Sequence, residues 1–304
     1  MRTSPEARVA EVADGAFAYV QPHGGWCVNN AGILVGRTGT VLIDTVATRP
    51  RASRLAEQVQ RLSGGPVQTI VNTHHHGDHT FGNCVFGPSV TVVAHELAIA
   101  EILDAGLGLT QLWPEVEWGE IRLVPPSVTF PDRMTLHVDE RSVELLHVGP
   151  AHTTNDIVAW LPAERVLYAG DVVMSGCAPF VLMGSISGSL SALRRLRELN
   201  PVTVVSGHGP VSGPEVIDAT ERYLRQILRI ADAGISAGMT PLEAARTADL
   251  GDLAGLRDSE RIVGNLHRAY AERRGDPPGS PLDVLTAFHE MIDYNNGVLP
   301  ECLA

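Results

Sequence analysis

Hydrophobic positions in the first 45 residues fall into short runs separated by turn signals. Residues 7–22, ARVAEVADGAFAYVQP, alternate in part between apolar and polar side chains, and Asp14-Gly15 marks a turn between two strands. AGILVG and TVLIDT are apolar runs parted by Arg37-Thr38-Gly39, the pattern of a hairpin. The period then changes. Ala52, Leu55, Val59 and Leu62 recur at steps of three and four, which is one face of a helix, and Gly64-Gly65-Pro66 stops it. VQTIVNT predicts a buried strand and SVTVVA another. HELAIAEILDAG predicts a helix, with His95 at its start as a surface or capping residue.

Residues 107–132 carry no clear period, and a long loop with two Trp is more often functional than idle. RMTLHV, SVELLHV, DIVAWLP and RVLYAGDVV restart the strand pattern. Leu190, Leu193, Leu196 and Leu199 form a helical stripe with Arg194, Arg195 and Arg197 turned outward, and VTVVSGHG is one more strand and loop. Beyond it the pattern is helical, at 215–237, about 240–247, 259–273 and 281–292, with GDPPGSP at 275–281 as a linker. Residues 8–130 and 133–212 thus each alternate strands with helices and end in a loop rich in His and Asp. Two αβ layers facing each other are expected, with residues 1–212 as the catalytic domain. Residues 213–304 form a helical extension that either caps the core or makes a homodimer contact.

Composition narrows the function. The formal charge is −12, which argues against nucleic acid and against an anionic membrane surface as partners. All 23 basic residues are Arg, so lysine nucleophiles and Schiff bases are excluded. Cys27, Cys84, Cys177 and Cys302 lack CxxC spacing, so neither a zinc knuckle nor a dithiol redox site is suggested. Cys84 and Cys177 read as buried thiols, with Cys177 as an outside candidate for a metal. The N-terminal segment has no apolar signal core, and no apolar run approaches the roughly 20 residues of a membrane span. A cytoplasmic location is the expectation.

The segment Thr73-His74-His75-His76-Gly77-Asp78-His79 follows a predicted strand and reads H-x-H-x-D-H. His74 and His76 can grip one cation while Asp78 and His79 face a second. Imidazole and carboxylate donors suit Zn²⁺ best, with Fe or Mn as alternatives. The bland alternative is a solvated polar loop. Three further strand-end loops weigh against it: Ala151-His152-Thr153, Gly170-Asp171 and Gly207-His208-Gly209, each placing one donor beside a small residue. Single histidines such as His23, His137, His147, His267 and His289 read as incidental, and Thr153 as a loop support.

On these residues the chain resembles the metallo-β-lactamase superfamily over about residues 8–212. The resemblance implies an α/β fold, a four-layer αβ/βα sandwich with a C-terminal helical extension here, and a dinuclear zinc site between the sheets. It implies His74, His76 and His152 on the first metal, Asp78, His79 and His208 on the second, and Asp171 bridging them. Asp44 would be the outer carboxylate that orients a ligand histidine. His76, Asp78 and Asp171 are the candidate catalytic residues. Such a metal pair supplies an activated water and a Lewis acid at neutral pH, so no Ser or Cys nucleophile is needed, and Asp78 can relay a proton. Two features depart from the true lactamases: Asp171 stands where they carry a metal-binding Cys, and their substrate-binding Lys has no counterpart.

Substrate contacts are expected from Trp26, Asn30, His75, Trp113, Trp118, Phe180 and Met183, unless the aromatic ones simply pack the core. GPAHTTND, FVLMGSISGSL and GHGPVSGPE are similar to the metallo-β-lactamase-fold cyclases of aromatic polyketide pathways. That resemblance implies second-ring closure or thioester cleavage on a small molecule held by an acyl carrier protein. A lactonase or general ester and thioester hydrolase is the first rival, and a β-lactamase-like hydrolase the second. A non-catalytic member would have lost donors, and a diiron flavoprotein would need a flavin domain.

Overall fold

The computed structural model describes residues 6–22, 24–63 and 65–304; residues 1–5, His23 and Gly64 lie outside the described residues. The first sheet runs in chain order: β1 (Arg8–Ala13), β2 (Ala16–Val20), β3 (Ala31–Val35), β4 (Thr40–Ile43), β5 (Val67–Val71), β6 (Thr91–His95) and β7 (Val128–Phe130). The first four strands are an antiparallel meander, and β4 to β7 are parallel. Parallel neighbours need crossovers. Helix α1 (Arg49–Ser63) supplies the first, and the short α2 (Gly77–Thr80) with its following 3₁₀ turn lies within the second. The second sheet has the order β12–β11–β10–β9–β8, from β8 (Arg133–Val138), β9 (Arg141–His147), β10 (Ile157–Leu161), β11 (Val166–Met174) and β12 (Thr203–His208). Here only β11 and β12 are parallel, bridged by α5 (Ile186–Glu198).

Period-two alternation explains the layers. In β4, Val41 and Ile43 face the space between the sheets, while Leu42 turns outward under Leu55 and Val59 of α1. In β11, Val166 and Tyr168 join that inter-sheet core, and Leu167 and Ala169 face Leu193 and Leu196 of α5. Both faces of each central strand are therefore covered, which is why these strands are apolar runs rather than alternating ones. Helix α3 (Ala98–Ala105) and α4 (Leu109–Leu112) follow β6. The C-terminal helices α6 (Glu215–Ser236), α7 (Pro241–Thr247), α8 (Arg261–Arg274) and α9 (Val284–Tyr294) pack on the α5 side and share its core cluster. Among the described residues no helix is long and apolar enough to cross a membrane.

Three local expectations change. His95 ends β6 and is buried, stacked on His147 with ring centroids 3.7 Å apart, and α3 starts only at Ala98. The segment 107–132 holds α4 and β7, so it is not wholly irregular. Residues 275–281 are no free linker, because Gly279 N donates to the Gly184 carbonyl and Arg268 holds the Ser280 carbonyl.

Leu145 is fully buried in the inter-sheet core. Leu145→Ala should cost about 2–5 kcal/mol in urea unfolding; a loss near zero would mean that the sheets do not depend on this interface.

Candidate metal centre

All the chemistry-bearing loops leave the same edge of the sandwich. His74, His75 and His76 follow β5, Asp78 and His79 sit on α2, Asp44 follows β4, and His152 lies between β9 and β10. Asp171 lies within β11, and His208 ends β12. Gly207 has to be glycine, since a Cβ there would lie 1.8 Å from Asp171 Oδ1.

Two groups of donor atoms result. His74, His76, His152 and Asp171 each place one within 4.8 Å of the others, and so do Asp78, His79 and His208. In the first group His76 Nδ1 lies 3.1 Å from His74 Nε2 and 2.9 Å from His152 Nε2. Nitrogens on one tetrahedral Zn²⁺ would sit about 3.3 Å apart. Asp171 Oδ2 lies 3.4 Å from His152 Nε2 and 3.3 Å from His208 Nε2, and its Oδ1 lies 3.2 Å from His79 Nε2. One carboxylate thus stands between the two groups.

The outer partners fix which imidazole nitrogen faces inward. His79 Nδ1 donates to Asp44 Oδ2 at 2.8 Å, His208 Nδ1 to the Gly25 carbonyl at 3.1 Å, and His152 Nδ1 to the Phe180 carbonyl. Each turns Nε2 toward the centre, the nitrogen that would ligate a cation once it is unprotonated. Asp44 is itself held by the Thr73 N–H and hydroxyl, both at 2.7 Å, with its backbone at φ +62°. His79 Nε2 and Asp171 Oδ1 are buried without a hydrogen-bond partner. Against burial, Asp171, Asp44 and Asp78 hold the His79 imidazole well above its usual range, so positive charge is favoured at this spot, and a cation between Nε2 and Oδ1 satisfies both atoms; the residues fit a dinuclear site.

Electrostatics agree. Burial pushes the imidazoles of His74 and His76 well below their usual range, helped by neighbouring rings. Burial opposes the charged form of Asp171 too, yet His208, His79 and His152 outweigh it and hold the carboxyl well below its usual value. Burial alone would lower His208, but Asp171 and Asp78 raise it to about 9.

A cavity of about 610 Å³ opens onto this centre. His76, Asp78, His152, Asp171 and His208 form its floor, and of the residues expected at the substrate Trp26, His75, Phe180 and Met183 line it. Asn30, Trp113 and Trp118 do not. Asn30 spends its amide on the Ser206 and Gly209 carbonyls, Trp113 on the Pro300 carbonyl, and Trp118 on the Trp113 carbonyl. The core reading holds for the two Trp, and Asn30, expected at the substrate, is instead a buried support for the loop after β12. Cys177 is buried outside both donor groups, its thiol pushed up to about 12 by burial. The sequence reading missed Arg261, Leu285, Phe288 and Met291 of the C-terminal helices, which also line the cavity, and Glu101, whose carboxylate lies 3.0 Å from His75 Nδ1.

Residues 24–208 match the family model described as the metallo-β-lactamase superfamily. The chain belongs to that superfamily. It is 24% identical over 245 residues to the metallo-β-lactamase type 2 of Bacteroides fragilis, covering 75% of this chain and 89% of that one. It is 30% identical over 184 residues to the 2,4-dinitroanisole O-demethylase subunit alpha of Nocardioides sp. (strain JS1661), which is 58% of this chain but 47% of that subunit. The linear primary-alkylsulfatase of Pseudomonas sp. (strain ATCC 19151) matches at 25% over 300 residues, 81% of this chain and 56% of that one. The chain therefore spans about half the length of the latter two relatives. The solved metallo-β-lactamase from Pontibacter korlensis superposes with a TM-score of 0.60 at 22% identity, over 72% of this chain and 99% of its own, a likeness of fold.

Two predictions follow from the outer partners and the field. Asp44→Asn should weaken metal binding about 10- to 100-fold in a chelator competition; unchanged affinity would remove Asp44 from the centre. In the metal-free chain the raised His208 stabilises the fold at and below pH 6.5, and that contribution is lost as pH rises through about 9. A cation must displace that proton and the one on His79, which, against burial, Asp171, Asp44 and Asp78 hold well above the usual imidazole range, so affinity should rise with pH by up to about a hundredfold per unit below pH 9. A flat profile from pH 6.5 to 9 would contradict this.

Proposed function

We propose that the chain is a dinuclear-metal hydrolase, with zinc as the cation its donors suit best. It would cleave an ester, thioester or lactone bond in a substrate with a large apolar body. The observation that carries this reading is the placing of members of both donor groups, His76, His152 and Asp171 of one and Asp78 and His208 of the other, on the floor of one cavity whose walls include Trp26, Phe180, Leu182, Phe288 and Met291. His74, His76 and His152 would hold one cation, Asp78, His79 and His208 the other, and Asp171 would bridge. When bound, the pair supplies Lewis acidity and an activated water at neutral pH.

The remaining roles belong to the chain's own residues. Asp78 is one of the two carboxylates of the floor, 3.3 Å from His208 Nε2 and lining the open cavity, and would accept the proton of the attacking water and pass it to the leaving group. Trp26 and Phe180 meet edge to face at 5.3 Å, and Phe288 approaches Trp26 at 6.2 Å, a wall that excludes water and orients a flat apolar body. β-Lactam opening is less favoured. The basic residue on the cavity wall, Arg261, is already 2.9 Å from Asp258 and stacked 4.3 Å from the Trp26 ring centroid, so it is not a free anchor for a substrate carboxylate.

The finer form of the proposal is an aromatic-polyketide cyclase or thioesterase, acting on a chain delivered by an acyl carrier protein in the cytoplasm. The aromatic wall favours it, since ring closure requires a long acyl chain held folded away from water. A thioester series from acetyl to naphthoyl tests the general reading. The kcat/KM should rise at least about tenfold with the aromatic acyl group, and Phe288→Ala should raise KM about tenfold for naphthoyl alone. Equal turnover across the series, or none at all, would overturn it.

A further inference from the structure

Helix α8 lies beyond residues 24–208, yet it touches the loops that orient both donor groups. Arg261, Asn265 and Arg268 recur at steps of four and three, so they share one face. That face grips the loop 178–182 along its backbone. Arg261 Nη1 donates to the Ala178 carbonyl at 3.0 Å, and Asn265 Nδ2 to the Pro179 carbonyl at 2.8 Å. Asn265 Oδ1 accepts from Val181 N at 2.9 Å, and Arg268 donates to the Leu182 carbonyl at 2.7 Å. All three side chains are buried, Asn265 fully. The residue between the two Asn265 bonds is Phe180, whose carbonyl takes the His152 Nδ1 proton. Gly264 makes the close approach possible, because a Cβ there would lie 2.7 Å from Phe180 Cε2.

The start of the same helix holds the other side. Glu260 Oε1 accepts the Trp26 indole N–H at 2.7 Å, and the Arg261 guanidinium covers the Trp26 ring. Trp26 follows Gly25, whose carbonyl takes the His208 Nδ1 proton. Each chain of contacts therefore ends on the non-ligating nitrogen of one histidine, His152 in the first donor group and His208 in the second.

We propose that α8 is the outer frame of the metal centre. Asn265 is the positioning residue for His152 through the Phe180 carbonyl, and Glu260 is the positioning residue for His208 through Trp26 and the Gly25 carbonyl. A helix outside the family-matched core thereby sets ring orientation in both halves. The inference rests on the metal-centre assignment above. Buried side chains that each satisfy two backbone groups are rigid supports, and loss of such a support displaces an acceptor whose hydrogen bond needs near-ideal geometry.

Site-resolved Co²⁺ titration of the full chain, followed by visible absorption, tests it. Asn265→Leu keeps the branched shape but removes the two bonds to the loop and the one to the Tyr223 hydroxyl, and it should weaken the His152-containing site about tenfold with the His208-containing site changed less. Glu260→Leu should do the reverse. Glu260→Gln, whose amide oxygen still accepts the indole proton, should restore wild-type titration, and Gly264→Ala should reproduce part of the Asn265→Leu effect. Circular dichroism of the metal-free variants shows whether they remain folded. Folded Asn265→Leu and Glu260→Leu that both titrate like wild type would overturn the frame while leaving the metal centre standing. A wild-type chain that takes up no Co²⁺ would overturn both.

Discussion

Three carboxylates, Asp44, Asp78 and Asp171, are buried at one end of this sandwich together with the imidazoles of His74, His79, His152 and His208 and the half-buried His76. Burying even one uncompensated carboxylate costs several kcal/mol after relaxation. The cluster reduces that cost with hydrogen bonds on its outer side: Thr73 on Asp44, and Asp44, Gly25 and Phe180 on the histidines. Its inner side is a set of imidazole nitrogens and carboxylate oxygens facing one another across 3 Å or so, where the carboxylates favour positive charge on His79 and His208. Positive charge between them removes the repulsion. A pair of divalent cations satisfies the inner donors in a way that protons, one per nitrogen and directional, do not.

The rest of the fold serves this constraint. Parallel strands bring β4, β5, β11 and β12 to a common edge, so that loops distant in sequence meet there. Rigid strands make the meeting reproducible, which a dinuclear site requires. The inter-sheet core of Ile43, Val71, Leu145 and Tyr168 holds the two halves in register beneath the centre. The C-terminal helices complete it from outside: α8 through the backbone of two loops, α9 through the aromatic wall. On the function and the α8 frame proposed above, specificity and metal geometry share a scaffold, and changes in the helical extension would reach both.

Much of this was legible in the sequence because it is local. H-x-H-x-D-H is contiguous, the other donors sit beside glycines at the ends of apolar runs, and the change of period separates the two halves at residues 130 and 133. What was not legible depends on packing across long separations. Trp113 and Trp118 look like cavity residues in a loop, but each places its indole N–H on a backbone carbonyl inside the core. Arg261 and Phe288 sit in amphipathic helices whose pattern says only that one face is buried. It does not say that the partner is a substrate cavity. His95 reads as a cap because it precedes a helical stripe, whereas its ring is claimed by stacking on His147 from the other sheet.

The most direct measurement is an anomalous difference map at the zinc edge from crystals grown without chelator. Two peaks are expected about 3.5–4 Å apart, one among His74, His76 and His152 and the other among Asp78, His79 and His208, with Asp171 reaching both. A map with no peak among those seven side chains, or with the rings turned away from a common point, would contradict the account.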